Sequence, residues 1–181
     1  MSTTKIVRTL DMGKGVSLNL VVDTSQPEDS TSRWMTDAIA EGRSGDPPLE
    51  VPPHWHRLHS ETMEVREGRV NVTVDGVTRV AVAGEKVHIP IGAVHGFKGF
   101  PGERLVVREM SDPAGDYKHL FFADLLSGTW PSGFWHTMRV FYDGDGYPSL
   151  GLYFKGFDIA FVTVFGGIAK LFLEKRQEKL E

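Results

Sequence analysis

Short runs of alternating apolar and polar residues, each ended by a turn, fill the middle of this chain. In the clearest case, valines alternate with other residues on both sides of Asp75 and Gly76. This pair favours the two-residue turn of a β-hairpin, because both central positions need a positive φ angle. Further runs cover residues 62–67, 68–74, 77–83, 85–90, 95–97 and 104–110. About eight short antiparallel strands at this spacing must close into a sandwich or a barrel to cover their edges.

The residues before this region add further extended structure. Residues 15–23 alternate with the period of a half-buried strand. Residues 32–40 fit either a strand or one face of a helix, and the turn-rich surroundings favour the strand. Residues 42–53 contain four prolines and two glycines, so we predict an extended segment there rather than a helix.

The pattern changes towards the C terminus. Residues 119–126 and 132–142 are predicted to form short helices, and residues 157–180 a longer one with apolar side chains at helical spacing. We therefore predict a β-barrel with N-terminal strands in residues 1–112 and a helical C-terminal extension in residues 113–181. The extension is expected to pack on the barrel or on a partner, with a lid or a membrane-surface contact as alternatives.

The composition excludes several kinds of site. The net charge of −4 at pH 7 provides no basic surface for nucleic acid. The absence of cysteine excludes disulfides and thiolate ligands, so any metal must be held by histidine and carboxylate. Only 14 residues separate Lys155 from Lys170, which is too few for a transmembrane span. Residues 1–11 lack the apolar stretch of a secretory signal, and we expect a cytoplasmic protein.

Histidines are concentrated immediately after the proline-rich segment. His54 and His56 lie two residues apart, so on a strand both side chains project to one side and Trp55 projects to the other. Two imidazoles separated by about 6 to 7 Å along a strand can converge on one ion. The alternative is an ordinary surface or core pair of histidines.

Glu61 and His95 are further candidates for the same site. Glu61 follows His56 at an odd offset, so a bend within residues 58–60 must turn it to the same face. His95 belongs to a different hairpin, after a tight turn predicted near Pro90.

Two motifs in this region resemble those of the cupin superfamily. The first, His-x-His-x4-Glu-x6-Gly, runs from His54 to Gly68, and the second, Gly-x5-Pro-x-Gly-x2-His, runs from Gly84 to His95. Both have the spacing of the family, and the short distance between them resembles its small single-domain members. The resemblance covers about residues 32–110. It implies a mainly β fold: a single cupin barrel, also called a jelly roll or double-stranded β-helix, with a helical C-terminal extension.

The chain departs from these motifs at two turn positions. Pro48 stands where the first motif usually has its leading glycine, and Gly99 where the second usually ends in asparagine. These departures affect loop conformation and leave the ligands unchanged. The tail from about Pro113 lies outside the motifs and weakly resembles one-barrel cupins of filamentous fungi found with natural-product pathways.

The resemblance implies a metal site of three histidines and one carboxylate: His54, His56, Glu61 and His95. Such a set suits a divalent transition metal, and Fe, Mn, Ni, Zn, Cu and Co are all admissible. With four protein ligands, an octahedral ion keeps two positions for water, dioxygen or a bidentate substrate.

Other side chains near the implied site are candidates for binding or catalysis. His59 is interpreted as a solvated loop histidine, with a ligand role in place of Glu61 or acid–base catalysis as alternatives. Met63, Val65 and Phe97 share the inward face and are candidates for the lining of a substrate pocket. The alternative is that these three side chains simply fill the barrel.

The sequence does not decide which face of the last barrel strand points inward. If Arg108 points inward, it could hold a substrate carboxylate, and if Glu109 points inward, it is a candidate base. We predict that His88 faces outward and that His119 and His136 have structural roles.

Together these features predict a metal-dependent cupin enzyme acting on a small organic substrate. Dioxygenase-type oxidoreductase chemistry is favoured, with the metal as Lewis acid or dioxygen site. Isomerase, lyase or cyclase chemistry, and ligand binding without turnover, are the alternatives, because the fold does not choose among them. Strand edges and the apolar surface of the extension predict a homodimer.

Overall fold

Two antiparallel sheets face each other and enclose the core of the protein. The computed structural model describes residues 3–128, 131–152 and 154–173. Its strands are β1 (Thr4–Gly13), β2 (Val16–Asp23), β3 (Trp34–Ala40), β4 (Glu50–Trp55), β5 (Ser60–Glu67), β6 (Arg69–Val74), β7 (Val77–Val82), β8 (Lys86–Ile89), β9 (His95–Gly99), β10 (Leu105–Asp112) and β11 (Tyr147–Pro148). Its helices are α1 (Tyr117–Leu125), α2 (Phe134–Gly144) and α3 (Lys155–Ala169).

The strand order is that of a jelly-roll barrel. One sheet has the order β1-β2-β3-β10-β5-β8, and the other has the order β11-β4-β9-β6-β7. Strands far apart in sequence are neighbours in both sheets, as in the antiparallel pairs β3 with β10 and β4 with β9. This architecture confirms the predicted mainly β barrel with helices towards the C terminus.

The apolar core lies between the sheets. Alternate positions along the strands supply it, and Leu20, Met63, Val65, Val72 and Leu105 are each at most 1% exposed. Full burial of a side chain of this size contributes roughly 1.5 to 3 kcal/mol relative to exposure. Packing between the two sheets therefore holds the barrel closed.

Two local predictions from the sequence are confirmed. The turn between β6 and β7 lies at Asp75 and Gly76, with φ angles of 46° and 81°. Residues 34–40 form a strand rather than a helix, because β2 and β10 pair with it on its two sides.

The three predicted helices are present, but the last is shorter than predicted. It ends at Ala169 instead of residue 180. Gly166 and Gly167 weaken its final turn, since glycine is a poor helix former, and Lys170 is its C-cap. Residues 174–180 of the predicted helix lie outside the described residues.

The extension is attached to the outer side of β4. Tyr147 of β11 pairs with Trp55 of β4, and the two rings stack with centroids 4.6 Å apart. The indole Nε1 of Trp55 donates a hydrogen bond of 3.0 Å to the buried carboxylate of Asp158 on α3, which also accepts one from the Leu150 amide. Trp55 thus faces away from the barrel interior, as alternation predicts. The domain division at residue 112 stays a prediction.

The extension exposes many large apolar side chains. They are Phe134, Trp135, Leu152, Phe154, Phe157, Val164, Ile168, Leu171 and Phe172. Within the described segments, none of the helices has the length and apolar character needed to cross a membrane.

Candidate metal centre

Strands β4 and β9 place two histidines side by side. His54 and His95 are direct partners in the antiparallel pairing, and their ring centroids lie 4.2 Å apart. The pairing register shifts between Val51 and His54, an irregularity of the kind that re-aims a side chain. Gly96 allows the strands to approach this closely, because a Cβ there would lie 2.8 Å from the carbonyl oxygen of Val51.

His56, just after β4, and Glu61, the second residue of β5, complete the cluster. The predicted bend is present, since residues 56–59 belong to neither strand. One ligand atom from each of four side chains lies within 4.8 Å of the others: His54, His56, Glu61 and His95. Three of these side chains are at most 4% exposed. The fold therefore brings all four predicted ligands together.

Backbone carbonyls orient three of the imidazole rings. The Nδ1 atoms of His54, His56 and His95 lie 2.9, 2.9 and 3.0 Å from the carbonyl oxygens of Pro52, Asp145 and Ala93, respectively. Because a carbonyl only accepts, each Nδ1 carries a hydrogen, and the neutral ring then has its lone pair on Nε2. This arrangement is typical of metal-binding histidines, whose other nitrogen donates to a carbonyl or a carboxylate.

Glu61 is the anionic centre of the cluster. Its Oε2 lies 3.1 Å from Nε2 of His95, and its Oε1 lies 2.5 Å from Nζ of Lys118 and 3.4 Å from Nε2 of His56. Burial alone would raise the pKa of Glu61, but the charge of Lys118, together with the contacts of His56 and His59, outweighs burial and holds this pKa well below its usual range. Glu61 is therefore a buried carboxylate that stays ionised.

The three rings differ in their protonation. Burial, together with the neighbouring His95 and His56 rings, lowers the pKa of His54 to about 3. Burial and the charge of Lys118 lower the pKa of His56 to about 4. Burial also opposes the protonation of His95, but the hydrogen bond and charge of Glu61 outweigh it, and the pKa of His95 is raised. At neutral pH, His54 and His56 are therefore uncharged, the form that binds a metal.

Lys118 belongs to the site although the sequence did not identify it. It comes from α1, is 8% exposed, and has its Nζ 3.4 Å from Nε2 of His56 as well as close to Glu61. A lysine in a short apolar helix is usually solvated at its tip. The direction in which the Lys118 side chain points depends on the path of α1 across the barrel, which the sequence does not give.

The interpretation of His59 as a solvated loop histidine is wrong. This side chain is 2% exposed, its Nδ1 lies 2.9 Å from a carboxylate oxygen of Asp145, and its ring stacks on His56. Its Nε2 is buried without a hydrogen-bond partner in the described part of the chain, 3.6 Å from Oε1 of Glu61. His59 is buried because the end of α2 covers the loop that carries it.

Asp145 is the second residue that the sequence did not identify. It ends α2 with a φ of 60°, a left-handed conformation that aspartate tolerates. Its carboxylate accepts hydrogen bonds from the amides of Arg57 and Leu58, at 3.1 and 2.8 Å, and from His59. Burial would raise the pKa of Asp145, but these hydrogen bonds lower it. The acidic, glycine-rich pattern around it predicted only the end of a helix.

Met63, Val65 and Phe97 lie inside the barrel but line no open pocket. Met63 and Val65 are fully buried, Phe97 is 4% exposed, and all three belong to the apolar core. Their burial favours the alternative given above, in which these side chains fill the barrel, and the substrate pocket at these residues stays a prediction.

Strand β10 directs Glu109 rather than Arg108 towards the cluster. Glu109 shares the face of Val107, which is fully buried in the core. Burial and then the charge of Glu61 raise the pKa of Glu109 to about 7. Arg108 lies on the opposite face and forms two hydrogen bonds of 2.7 Å with Asp37. Arg108 therefore does not point towards the cluster, which was the condition for its suggested role in holding a substrate carboxylate.

The remaining histidines lie outside the cluster. His88 is exposed, as predicted. His119 is fully buried with its Nε2 2.8 Å from the carbonyl oxygen of Met35, and His136 makes the same contact with the carbonyl of Asp124. These bonds join α1 to β3 and α2 to α1, in agreement with the predicted structural roles.

The donor set fits a divalent transition metal. Three imidazole nitrogens and one ionised carboxylate match the ligand preferences of the first-row ions, and the Nδ1 partners hold the rings in place. A second group, His56, His59 and Asp145, also has ligand atoms within 4.8 Å of one another. Its Asp145 carboxylate is already engaged with the 57–59 loop, so the first group is the better candidate.

Part of this chain matches a known protein family. Residues 46–107, which include both motifs and the four clustered residues, match the family described as "Cupin domain". The chain therefore contains a region similar to a cupin domain, in agreement with the two-sheet barrel.

Two relatives of this chain come from fungi. The chain is 31% identical over 107 residues to "Probable oxidoreductase patJ" of Penicillium expansum, a match that covers 56% of this chain and 31% of that protein. The protein of the same name from Aspergillus clavatus is 30% identical over 103 residues, covering 54% and 30%. The match thus spans less than a third of the length of these relatives.

Two solved structures are similar to part of this chain. The RmlC-like cupin of Shewanella frigidimarina is 24% identical, with 59% of this chain and 84% of that chain covered and a TM-score of 0.45. KdgF from Halomonas sp. is 21% identical, with 60% and 88% covered and a TM-score of 0.47.

Proposed function

We propose that this chain is a metal-dependent cupin enzyme that acts on a small organic substrate by oxidoreductase chemistry of the dioxygenase type. The observation that carries the proposal is the convergence of three imidazoles and one ionised carboxylate on one point. The similarity to two relatives named as probable oxidoreductases supports the redox assignment. A bound Fe, Mn, Ni, Zn, Cu or Co ion would supply Lewis acidity or a dioxygen site.

The residues of the chain would have different roles around such an ion. His54 and His56 present nitrogen lone pairs, His95 would present one after losing the proton that it shares with Glu61, and Glu61 would balance part of the ionic charge. Asp145 holds the orientation of the loop that carries His59. Because the barrel interior is filled, we propose that a substrate approaches the cluster from the side covered by α1 rather than from within the core.

Metal analysis tests the ligand assignment directly. Protein purified without chelator is expected to hold close to one equivalent of a transition metal, measured by plasma mass spectrometry. His54→Ala and His56→Ala are each expected to lose most of it, because each removes one of four donors. His88→Ala, on an exposed strand position, is the matched control and keeps its metal. Full metal content in both ligand variants would contradict the assignment.

Dioxygen uptake tests the reaction class. The metal-loaded protein, mixed with a panel of small enols and phenols in an oxygen electrode, is expected to consume dioxygen as the organic compound disappears. Product formed equally well under argon would reject dioxygenase chemistry.

Glu109 favours a second candidate function, a non-redox isomerase, lyase or cyclase. A carboxyl group whose pKa is raised to about 7 beside the cluster is suited to move a proton at neutral pH. Turnover under argon that Glu109→Gln abolishes, with metal content unchanged, would favour this function over the first.

The homodimer, the cytoplasmic location and the absence of a nucleic-acid partner stay predictions. The exposed apolar side chains of the extension support the homodimer. A monomeric mass in light scattering at micromolar concentration would contradict it.

A further inference from the structure

Helix α1 inserts a positive charge among the candidate metal ligands. The Nζ atom of Lys118 lies 2.5 Å from Oε1 of Glu61 and 3.4 Å from Nε2 of His56. Both atoms belong to groups that a metal ion at this site would need. The side chain of Lys118 is buried, so its ammonium depends on protein groups rather than water for its partners.

The ammonium group and a metal ion cannot share this position. Glu61 Oε1 is the closest anionic atom to Lys118, and coordination would direct that carboxylate towards the ion instead. Two cations a few ångströms apart in a buried site repel each other strongly, since little solvent lies between them. Either cation neutralises Glu61, and the presence of one disfavours the other.

A second carboxylate lies within reach of the lysine. Lys118 and Glu109 line the same small cavity, together with Thr36 and Ser111. The cavity has a volume of about 10 Å³, which is room for roughly one water molecule. Rotation about the flexible Lys118 side chain would carry its ammonium from Glu61 into this space and towards Glu109.

We propose that Lys118 is an internal competitor of the metal: it neutralises Glu61 in the metal-free protein and turns towards Glu109 when a divalent ion binds. This inference rests on the metal site of the proposed function. Because coupling between two binding events is reciprocal, metal binding also loosens the hold of α1 on the cluster. The strength of the contact between α1 and the cluster then depends on whether the barrel holds a metal ion.

Zinc affinity of a lysine variant is the first test. Lys118→Met keeps the length and apolar stem of the side chain and removes its charge. Isothermal titration with Zn²⁺ is expected to show binding tighter by about tenfold or more, the range of a typical coupling between sites. Lys98→Met, which removes a surface lysine paired with Glu50, is the matched control and binds zinc as the wild type does. Unchanged or weaker binding by Lys118→Met overturns the inference.

A double-mutant cycle tests the second position of the lysine. Glu109→Gln is expected to weaken zinc binding several-fold when Lys118 is present, because the displaced ammonium loses its alternative partner. In the Lys118→Met background, the same substitution is expected to have little effect. Equal effects of Glu109→Gln in the two backgrounds would reject the proposed movement.

Hydrogen exchange of the wild type gives a readout that needs no variant. Addition of Zn²⁺ is expected to speed amide exchange in residues 117–125 relative to α2. Unchanged or slower exchange in these residues contradicts the inference. This measurement remains available if Lys118→Met fails to fold. Zinc binding of equal strength in wild type and Lys118→Met rejects the competitor role alone. Failure of both proteins to bind zinc rejects the metal site and the inference with it.

Discussion

The two sides of the candidate metal centre come from different parts of the chain and differ in what they provide. The barrel side consists of His54, His56, Glu61 and His95. The extension side consists of Lys118 and Asp145. The barrel side supplies the donor atoms, whereas the extension side supplies a competing charge and holds the loop in place. The comparison indicates that strand register determines which donor atoms converge. Helix packing determines whether Glu61 is paired with Lys118 and how the loop of residues 57–59 is held.

The largest effect is expected from replacing Glu61, the residue at which the two sides are in contact. Glu61→Gln leaves the ammonium of Lys118 buried without an anion beside it, and loss of one partner of a buried pair typically costs about 3 to 5 kcal/mol. We expect the free energy of unfolding of the metal-free protein to fall by that amount in urea denaturation. Glu103→Gln, which breaks a surface pair with Arg69, is the control and is expected to cost about 1 kcal/mol or less.

The double variant Glu61→Gln with Lys118→Met separates charge from packing. If the unpaired ammonium causes the instability, the double variant recovers much of the lost free energy of unfolding. Equal instability of the single and double variants would show that the two sides are not coupled through charge.

The next effect concerns the hold of the extension on the barrel loop. Asp145→Ala removes the acceptor of the Arg57 and Leu58 amides, which lie at the exposed surface, and leaves the buried Nδ1 of His59 without this partner. We expect a loss of about 2 to 3 kcal/mol in the free energy of unfolding and faster amide exchange at both residues. Asp143→Ala, two residues away and paired with Lys170, is the matched control.

Slow amide exchange at positions 57 and 58 in Asp145→Ala would mean that the barrel side holds its own loop. The extension would then contribute only the charge of Lys118, and the comparison between the two sides would have to be redrawn.

The pH dependence of the metal-free protein distinguishes two members of the barrel side. The pKa of His56 falls from 6.5 to about 4 on folding, so between these values the unfolded state binds the extra proton and stability falls as the pH falls. The slope is about 1.4 kcal/mol per pH unit for one group. His95 has a raised pKa, so its contribution is complete below pH 6.5 and is lost as the pH rises through its folded value.

Urea denaturation between pH 4 and 8 checks these signs. His56→Gln is expected to make the loss of stability on acidification below pH 6.5 shallower, and His95→Gln is expected to remove the gain of stability on acidification above pH 6.5. The same change of slope in both variants would contradict the assigned protonation states.

The smallest expected effect concerns the outer contact of β4. Asp158→Asn removes the negative charge of the carboxylate that accepts hydrogen bonds from the Trp55 indole and the Leu150 amide. This substitution is expected to lower the free energy of unfolding by about 1 to 2 kcal/mol. Because Trp55 lies next to two candidate ligands, zinc affinity provides a second measurement. Unchanged zinc affinity with reduced stability would show that this contact holds the extension without adjusting the site.

The barrel side was predictable from the sequence because its rules are local. Alternation places His54 and His56 on one face, the odd offset of Glu61 requires the bend that the structure has, and the hairpin spacing positions His95. The same alternation placed Trp55 on the outer side of its strand.

The extension side could not be predicted in this way. The burial of Lys118 depends on the path of α1 over the cluster, and the role of Asp145 depends on the direction in which α2 ends. His59 was misjudged for the same reason, since a loop position is exposed unless a distant segment covers it. The choice between Arg108 and Glu109 needed the pairing of β10 with its neighbours, which the sequence left undecided.

The contact between Asp145 and the 57–59 loop also has a consequence for the order of assembly during translation. Asp145 lies 86 residues after His59, and all ten barrel strands from β1 to β10 precede it in the chain. Since segments emerge from the ribosome from the N terminus onward, the strands can pair while the loop beside the histidines is still unheld. The nascent protein therefore acquires its four candidate ligands first and the rigid form of the candidate metal centre last.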